Sequence, residues 1–349
     1  MSTKKSNGSK MFSRRVYGLQ IIKSKNSNYN ADFTGAPRTL PNGTVYATDK
    51  VSKFNDRKYL GRNDKDCIFT KTTYKSDLNP MILKEVYESH FGTISDDTKK
   101  EDILKNLLTK LDVRLFGATF AAKGADNKNI SIHGPVQVSY GVNRFSLEDS
   151  GVYTAQIGSP YASKAGDNQT TLGTQIRSME AHYVHHFSIN PKNLSAYVEH
   201  FKEENSDNDF KLLSVEDVSK LKKAMALATT YYDSTSKKDS ENELLMWIEM
   251  NDGSEKILKN FTDLITVTST DKGKSEIDFT KVKAYLDKFK TDISKIEIYY
   301  DDVFTDLRGI EVFEKKGNDW EIIIKKDLNE VLSSQECEVN SQEKTEKQK

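Results

Sequence analysis

The sequence predicts an α+β fold with large insertions, and three observations support this prediction. Strand-like segments and helical periodicities interleave irregularly along 349 residues, a length typical of one large domain or two units. Only 36% of the residues are apolar and the mean hydropathy is −0.68, yet the chain is long enough to bury a sizeable core. No apolar run approaches the ~20 residues that a membrane-spanning helix needs, so no membrane partner is expected.

The N-terminal part of the chain combines a polar tail, one strand and a long loop. Residues 1–13 are polar and of low complexity, which predicts a disordered tail. β-Branched and aromatic residues over 16–22 predict a strand. The segment 24–38 is rich in turn-forming residues and nearly free of apolar ones, so we expect a long loop there.

A short basic helix is predicted after this loop. Thr48 and Asp49 are expected to cap its first turn, because their side-chain oxygens accept hydrogen bonds from the free N–H groups of a helix start. Lys50, Lys53 and Arg57 are spaced i, i+3 and i+7, so they share one helical face and form a cationic stripe.

The stripe lies in a basic region of a chain that is neutral overall. The chain contains 52 basic and 52 acidic residues, but residues 1–75 contain sixteen Lys or Arg and only five Asp or Glu. A local surplus of positive charge favours phosphate binding, because each neutralised phosphate releases counterions whatever the total charge. A solvated, lysine-rich terminus explains the same surplus, and charge alone does not separate the two interpretations.

The next part of the chain predicts two helices followed by two strands. A helix is expected over 79–91, with Pro80 in its first turn. A second helix is expected over 100–111, where apolar residues recur with the helical period. Residues 113–117 and 130–132 are then predicted as strands.

The segment 147–179 predicts a projecting β-hairpin. It is rich in Gly, Ser, Thr, Ala, Gln and Asn, and it contains two plausible strands at 152–157 and 170–177. A two-stranded piece with so few large apolar residues cannot build a core of its own, so we expect it to extend away from the main body.

The C-terminal part continues the irregular alternation. Ser214 and Asp217 form a capping-box pattern that opens a helix. The further predictions are a buried strand at 244–250, a helix at 280–290, strands at 296–299 and 321–324, and a disordered tail at 333–349.

Composition indicates a cytoplasmic protein. The two cysteines, Cys67 and Cys337, exclude a disulfide framework and fit a reducing compartment. The N-terminus carries basic residues but lacks the apolar run of a secretion signal.

No set of residues forms a convincing catalytic or metal site, so we expect no cofactor. The chain lacks a phosphate-binding loop, a nucleophile elbow, an H-E-x-x-H helix motif and a C-x-x-C pair. His182 and His186 share a strand face, but ordinary strand histidines are more frequent than metal ligands. Asp32, in the loop after the first strand, could hold Mg²⁺ beside a phosphodiester, although a lone loop aspartate is more often a turn residue.

Two motifs resemble the CRISPR-associated Cas-seven family, and more narrowly its type I-B branch. They are D-V-R-L-F-G at 112–117 and G-P-V-Q at 134–137. Weaker matches follow in the expected order within residues 15–250, and the last hundred residues match only loosely. These weaker matches are Pro37-Arg38, Thr48-Asp49, Lys53, Arg57, Tyr59, 171–173, 189–191, 213–218 and Ser236-Lys237.

The resemblance implies an RRM-like (ferredoxin-like) palm over 14–332, with inserted finger and web regions and a thumb hairpin. The fingers would span about 60–110 and the thumb about 147–179. The implied protein is a non-catalytic backbone subunit of a type I-B Cascade complex. Such a subunit oligomerises along the CRISPR RNA (crRNA), binds its backbone without reading its sequence, and presents it for pairing with target DNA.

The implied partners are the crRNA, target DNA and other proteins of the complex. Further copies of the chain would form a helical filament, because head-to-tail contacts that do not close into a ring propagate. The large, small, five-prime-end-capping and crRNA-processing Cascade subunits would complete the assembly. The alternative is a Mg²⁺-dependent target-RNA endoribonuclease subunit of a type III-like complex, with Asp32 as its catalytic residue.

The same resemblance suggests which side chains contact the RNA. Arg114 either reaches the RNA or pairs with a carboxylate inside the palm, and Gln137 either bonds sugar or phosphate or supports its strand. Ile157 and Leu172 either wedge between bases or pack within the hairpin. The expected RNA contacts are Arg38, Lys50, Lys53, Arg57, Lys58, Arg114, Lys123, Gln137, Arg144, Ile157, Leu172 and Lys237.

Overall fold

The computed structural model confirms the predicted α+β class. It describes residues 10–122, 128–146, 150–158, 172–197, 212–270, 273–309 and 321–333, together with positions 148, 161 and 199. The helices are α1 (Asp49–Leu60), α2 (Leu83–Phe91), α3 (Lys100–Leu108), α4 (Leu111–Phe116), α5 (Val215–Tyr231) and α6 (Thr280–Leu286). The strands are β1 (Val16–Ser27), β2 (Tyr46–Ala47), β3 (Gly117–Phe120), β4 (Ile130–His133), β5 (Val136–Val138), β6 (Gly141–Asn143), β7 (Val152–Gly158), β8 (Leu172–Ile189), β9 (Ser240–Met250), β10 (Thr266–Ser269), β11 (Ser275–Asp278), β12 (Ile293–Tyr300), β13 (Thr305–Arg308) and β14 (Glu321–Lys325).

Strands β8, β1 and β9 form the centre of the main sheet. The strand order is β14-β12-β9-β1-β8-β6-β2, and β5 and β7 also pair with β8. β1 is antiparallel to both neighbours, so that Val16 lies opposite Ile189 on one side and Glu249 on the other. Residues 16–22 of β1 are all buried, as expected for β-branched and aromatic residues between two strands.

The main sheet separates two hydrophobic clusters, because successive side chains of a strand point to opposite faces. On β9, Leu245 and Trp247 join a cluster with α3, α4 and α5. Their neighbours Leu244 and Met246 join a second cluster, which includes residues of β10, β11 and α6. A smaller sheet of order β10-β11-β13 belongs to this second side, and β3 pairs with β4 on the first.

β8 is a single strand of 18 residues that serves two parts of the molecule. Its inner part pairs with β1, from Ile189 to Ser178, and its outer part pairs with β7, from Ser178 to Leu172. We call the pair formed by 152–158 and 172–178 the β7–β8 ribbon. The antiparallel pairing of β7 with β8 confirms the predicted strands at 152–157 and 170–177 within the described residues. The side chains of β7 are exposed or half-buried.

Three predicted elements of the middle region are corrected by the structure. Residues 111–116 form helix α4, so the strand predicted at 113–117 is wrong, and β3 begins only at Gly117. All six side chains of α4 are buried, including the charged ones. α3 ends at Leu108, before a break at Thr109 and Lys110, so the predicted helix 100–111 is two helices. α2 begins at Leu83, since Pro80 takes part in a β-bridge with Tyr74.

The cap of α1 also differs from its prediction. Thr48 occupies the N-cap position, but its side chain makes no capping hydrogen bond. Its hydroxyl instead donates to Oδ1 of Asn30, at 3.1 Å, and its backbone N–H donates to the same oxygen at 2.9 Å. The loop after β1 therefore fastens the start of the basic helix.

The capping box of α5 is confirmed. Oγ of Ser214 accepts a hydrogen bond from the Asp217 N–H at 3.0 Å, and the Ser214 N–H donates to the Asp217 carboxylate at 3.3 Å. The predicted strands and helix of the C-terminal part are present as β9, α6, β12 and β14.

The ends of the chain lie mostly outside the described residues. Of the predicted tails, residues 1–9 and 334–349 are not described. The backbone N–H of Phe12 donates to the carbonyl oxygen of Leu213, just before α5. Among the described helices, none is long and apolar enough to cross a membrane.

Candidate nucleic-acid interface

A cleft of about 1480 Å³ lies between α1, the segment 61–74 and the edge of β3 and β4. We call it the basic cleft, because the charged side chains that line it are mostly cations. The cations that line it are Lys50, Lys53, Arg57, Lys58, Arg62, Lys65 and Lys71, and Asp49 is the carboxylate among the described lining residues.

The cationic stripe predicted on α1 lines this cleft, and each of its three cations lies beside a carboxylate. Nζ of Lys53 lies 3.2 Å from Asp49, and Nζ of Lys50 lies 2.8 Å from the same carboxylate. Nε of Arg57 lies 3.1 Å from the buried carboxylate of Asp112. The predicted phosphate contacts of Lys53 and Arg57 remain predictions: the Lys53 side chain is only 9% exposed, whereas that of Lys50 is 80% exposed.

The cations at the rim of the cleft lie over aromatic rings instead. Lys58 lies 5.5 Å from the Phe54 ring centroid, and the Arg62 guanidinium lies 3.7 Å from that of Tyr59. Within the described part of the chain, neither Lys58 nor Arg62 forms an ion pair with a carboxylate. A cation over a ring keeps its full charge, so these groups remain available to an anionic ligand.

Lys237 joins the same rim from the loop after α5. Its ammonium group lies 5.3 Å from the Phe54 ring and 5.4 Å from the Tyr232 ring, and both rings line the cleft. Burial lowers the pKa of Lys237 to about 8, because the ammonium loses water between the rings. The placement agrees with the RNA contact predicted for Lys237, which remains a prediction.

The first residue of the D-V-R-L-F-G motif organises one wall of the cleft. The buried carboxylate of Asp112 accepts hydrogen bonds from the backbone N–H groups of Phe69, at 2.8 Å, and Thr70, at 2.9 Å. It also accepts from Arg57. Asp112 therefore ties the segment 61–74 to α1, and the cleft lies between them.

Arg114 pairs with a carboxylate, which is the second of its two predicted roles, and its predicted RNA contact remains a prediction. Its Nε and Nη2 donate to the two carboxylate oxygens of Asp217, at 3.0 and 2.9 Å. Nη1 donates to the carbonyl oxygens of Leu108 and Thr109. Its side chain is 9% exposed, and this bidentate pair joins α4 to the first turn of α5.

The rest of the motif forms the floor of the cleft, where it meets the G-P-V-Q motif. Phe116 lies beneath the Arg57 guanidinium, 5.0 Å from the ring centroid. Gly117 has a φ of 76°, and a Cβ there would lie 2.1 Å from the carbonyl oxygen of Ile132. A Cβ on Gly134 would lie 2.2 Å from the Gly117 nitrogen, so the two motifs pack backbone against backbone.

Gln137 also faces the cleft. Its Nε2 donates to the carbonyl oxygen of Gly134 at 2.9 Å, and the residue is exposed in the cleft lining. The predicted contact of Gln137 with sugar or phosphate remains a prediction.

The other predicted contacts lie elsewhere. Arg38 lies in the first loop, outside the cleft lining. Arg144 donates to Asp263, which lies in the 3-10 turn at 262–264, and its predicted RNA contact remains a prediction. Ile157 lies on the β7–β8 ribbon and is 41% exposed.

Two predicted contacts cannot be placed. Lys123 lies outside the described residues, and the Leu172 side chain lies outside them as well, although its backbone pairs with Gly158.

The weak catalytic and metal candidates have structural roles. The Asp32 carboxylate accepts hydrogen bonds from the N–H groups of Thr34, at 2.8 Å, and Ala36, at 3.1 Å, in a local turn. The hydroxyl of Thr34 holds the pKa of Asp32 below its usual value. Among the described residues there is no cluster of three or more potential metal ligands. Of the two histidines considered as metal ligands, His182 has its Nδ1 hydrogen-bonded to the carboxylate of Glu243. Burial lowers the pKa of the other, His186, to about 4.

Sequence reasoning missed part of the lining. Arg62, Lys65 and Lys71 belong to the basic region 1–75, so the charge surplus was the signal that could have found them. Tyr231 and Tyr232 reach the cleft from the end of α5, and no local pattern connects them with α1.

The matches to known proteins cover most of the chain. A sequence model of the family described as CRISPR-associated protein Cas7 matches residues 14–287. No curated protein matches the chain. The chain is similar to one in a solved "CRISPR RNA-guided surveillance complex, pre-nicking", with a TM-score of 0.49 and 10% identity, covering 91% of this chain and 98% of that chain. It is also similar to one in a "CRISPR RNA-guided surveillance complex", with a TM-score of 0.45 and 11% identity, covering 84% of this chain and 94% of that chain. Because the family match spans well over half of the sequence, the chain belongs to the CRISPR-associated protein Cas7 family.

Proposed function

We propose that this chain is a non-catalytic backbone subunit of a type I-B Cascade complex, which holds the ribose–phosphate backbone of a crRNA in the basic cleft. The observation that carries the proposal is the set of seven cations along one cleft, against Asp49 as the carboxylate of the described lining. Membership of the Cas7 family and the two I-B-like motifs support it.

The arrangement of charges supports binding that does not depend on base sequence. Lys58 and Arg62 form no ion pair with a carboxylate of the described residues, and Lys50 is 80% exposed although it lies 2.8 Å from Asp49, so these three cations are available for phosphates. Lys53 and Arg57 also pair with carboxylates, and their side chains are far less exposed. Phosphate contacts give affinity without sequence information, as a subunit that must accept any guide requires.

The fold supports an assignment of parts. We assign the main sheet to the RRM-like palm, residues 60–110 to the fingers and the β7–β8 ribbon to the thumb. In this assignment Ile157, which is exposed on the ribbon, serves as the apolar wedge between bases.

Charge also supports assembly into a filament. Residues 1–75 carry a surplus of eleven positive charges, so the rest of this neutral chain carries eleven negative ones. Opposite surpluses of charge on one chain favour head-to-tail contacts between copies along the guide. Target DNA and the other Cascade subunits are the further partners.

The salt dependence of RNA binding tests this function. A variant with Lys50→Gln and Lys58→Gln should bind mixed-sequence RNA more weakly and with a slope of log K against log salt that is shallower by about 1–2, since each lost phosphate contact removes about 0.7–0.9 from it. Lys238→Gln is the control, because Lys238 pairs with Asp233 outside the cleft. Binding to only one base sequence, or unchanged binding by the double variant, would contradict the proposal.

The absence of catalysis needs its own test. The assembled complex should leave complementary RNA intact in Mg²⁺, because the Asp32 carboxylate is occupied by its own turn. Cleavage at regular intervals that is lost in Asp32→Asn would establish the endoribonuclease alternative instead.

A further inference from the structure

The rim of the basic cleft carries exposed aromatic rings as well as cations. Tyr231, the last residue of α5, is 50% exposed, and Phe54 on α1 is 39% exposed. Single exposed rings are common on protein surfaces, but these two lie in the lining of one cleft, and apolar groups gathered in a groove are typical of binding sites.

Each of the two rings packs against a second aromatic ring. Tyr231 meets Tyr59 with ring centroids 5.5 Å apart and an interplanar angle of 89°. Phe54 meets Tyr232 in the same way, at 5.2 Å and 88°. These perpendicular contacts fix the rings, and no ring of the described residues stacks face to face on Tyr231.

Cations alternate with these rings. Lys58 and Lys237 lie over Phe54, Arg62 lies over Tyr59, and no cation of the described residues lies over Tyr231. Cations bind phosphates, and aromatic rings stack on bases. Single-stranded nucleic acid presents phosphates and bases at short intervals, so it matches a surface that carries both cations and rings. Tyr231 is therefore a half-exposed ring in the lining of a cleft whose charged side chains are mostly cations.

We infer that a nucleobase of the bound strand stacks on the Tyr231 ring, beside Phe54, while the neighbouring cations hold its phosphates. The inference rests on the proposed RNA-binding function and adds a contact to the base itself. Stacking uses the face of the base and leaves its pairing edge open, so it tolerates any sequence and is compatible with pairing.

Two probes of equal charge separate base contacts from phosphate contacts. One is a mixed-sequence oligoribonucleotide, and the other is an oligomer of the same length that carries abasic ribose at every position. The full-length protein should bind the first about tenfold more tightly or better, because one stacked base contributes roughly that factor. Tyr231→Leu should lose this preference without changing the salt dependence, whereas Tyr231→Phe should keep it.

A matched control is available outside the cleft. Tyr140 is 55% exposed but does not line the cleft, so Tyr140→Leu should bind both oligomers as the unmodified protein does. In the unmodified protein, 2-aminopurine within the oligonucleotide should lose fluorescence on binding, and this readout does not depend on whether Tyr231→Leu folds.

The outcomes distinguish this inference from the proposed function. If the unmodified protein binds both oligomers equally well and 2-aminopurine emission does not change, the stacking contact is absent while phosphate binding stands. If the protein binds neither oligomer at low salt, the proposed function fails and the stacking inference fails with it.

Discussion

At the scale of single residues, the cations of this chain divide into two groups. Arg114 is buried and Arg57 is half-buried, and each pairs with a buried aspartate and fixes one element to another. Lys58 and Arg62 lie over rings at the rim of the cleft and keep their charge for a ligand. Substitution should therefore affect stability in the first group and RNA affinity in the second.

Arg114 provides a test of the first group. Arg114→Gln should lower the free energy of unfolding by about 3–5 kcal/mol, because it leaves the carboxylate of Asp217 buried without its partner. Denaturant unfolding measures this change. Arg308→Gln is the control: Arg308 is exposed and lies 3.8 Å from Asp278, so its loss should cost less than about 1 kcal/mol. Equal effects of the two substitutions would contradict the structural role of Arg114.

Lys237 provides a test by pH. Its pKa of about 8 means that the free protein loses this charge as pH rises through 8. Since a phosphate binds the protonated amine, RNA affinity should be constant below about pH 7 and should fall between pH 8 and 9. Titration of RNA binding by fluorescence anisotropy measures the fall.

An arginine at this position stays protonated over the whole range, so Lys237→Arg should flatten the profile. Lys238→Gln should keep the fall, because Lys238 pairs with Asp233 outside the cleft. A pH-independent affinity in the unmodified protein would show that Lys237 does not contact the RNA.

At the scale of elements, the contact between Gly117 and Gly134 sets the floor of the cleft. Gly134→Ala should destabilise the fold by about 3 kcal/mol, because the new methyl group would meet backbone atoms that cannot move aside. Thermal and denaturant unfolding measure the loss. Gly158→Ala is the control, since a Cβ there meets nothing within 4 Å and should change stability by less than about 0.5 kcal/mol. A Gly134→Ala protein of normal stability would show that the two motifs do not pack as described.

The sequence predicted the elements whose signals are local. The periodicity of the basic helix, the capping box at Ser214 and the apolar run of β9 each lie within a few residues, and all three elements are present. The strand predicted at 113–117 is wrong because the structure of this segment depends on distant partners. Asp112 and Arg114 satisfy their charges with residues 55 and 103 positions away, and no local pattern reveals such pairs.

The candidate site was predictable only where its residues form a local pattern in the sequence. The cations of α1 were predictable from their spacing, but the carboxylates that hold Lys53 and Arg57 were not assigned. Tyr231 could not be predicted, because it follows α1 by about 170 positions and reaches the cleft only through the packing of α5 on α1.

At the scale of the whole molecule, a buried polar cluster joins the main sheet to the smaller sheet β10-β11-β13. His182 on β8 bonds to Glu243 on β9, with Nδ1 and Oε2 2.5 Å apart, and to Glu180 at 3.2 Å. Glu243 also accepts from the Thr305 hydroxyl on β13, and Lys23 donates to Ser275 on β11. The cluster is therefore the polar link between two sheets.

This cluster should make stability depend on pH in both directions. Burial alone would lower the pKa of His182, but Glu243 and Glu180 raise it above its usual value. The stability from His182 is therefore complete below about pH 6.5 and is lost as pH rises through the raised pKa. The hydrogen bond from His182 lowers the pKa of Glu180 to about 2, so its contribution is lost as pH falls from about 4.5 towards 2.

The free energy of unfolding should therefore be highest near pH 5–6, and urea titrations from pH 3 to 9 measure it. His182→Asn should remove the decline on the alkaline side. His133→Asn is the control, because His133 is exposed at the edge of β4 and lies outside the cluster. A flat profile above pH 6.5 in the unmodified protein would show that His182 does not carry the charge in the folded state.

The continuity of β8 has a mechanical consequence. Its 18 residues span roughly 60 Å without a turn, and the inner part is fixed by hydrogen bonds to β1. The ribbon consequently has no hinge at its base on this strand. A ligand that pushed on the ribbon would have to bend a paired strand or deform itself, so this continuity makes the ribbon stiff along β8.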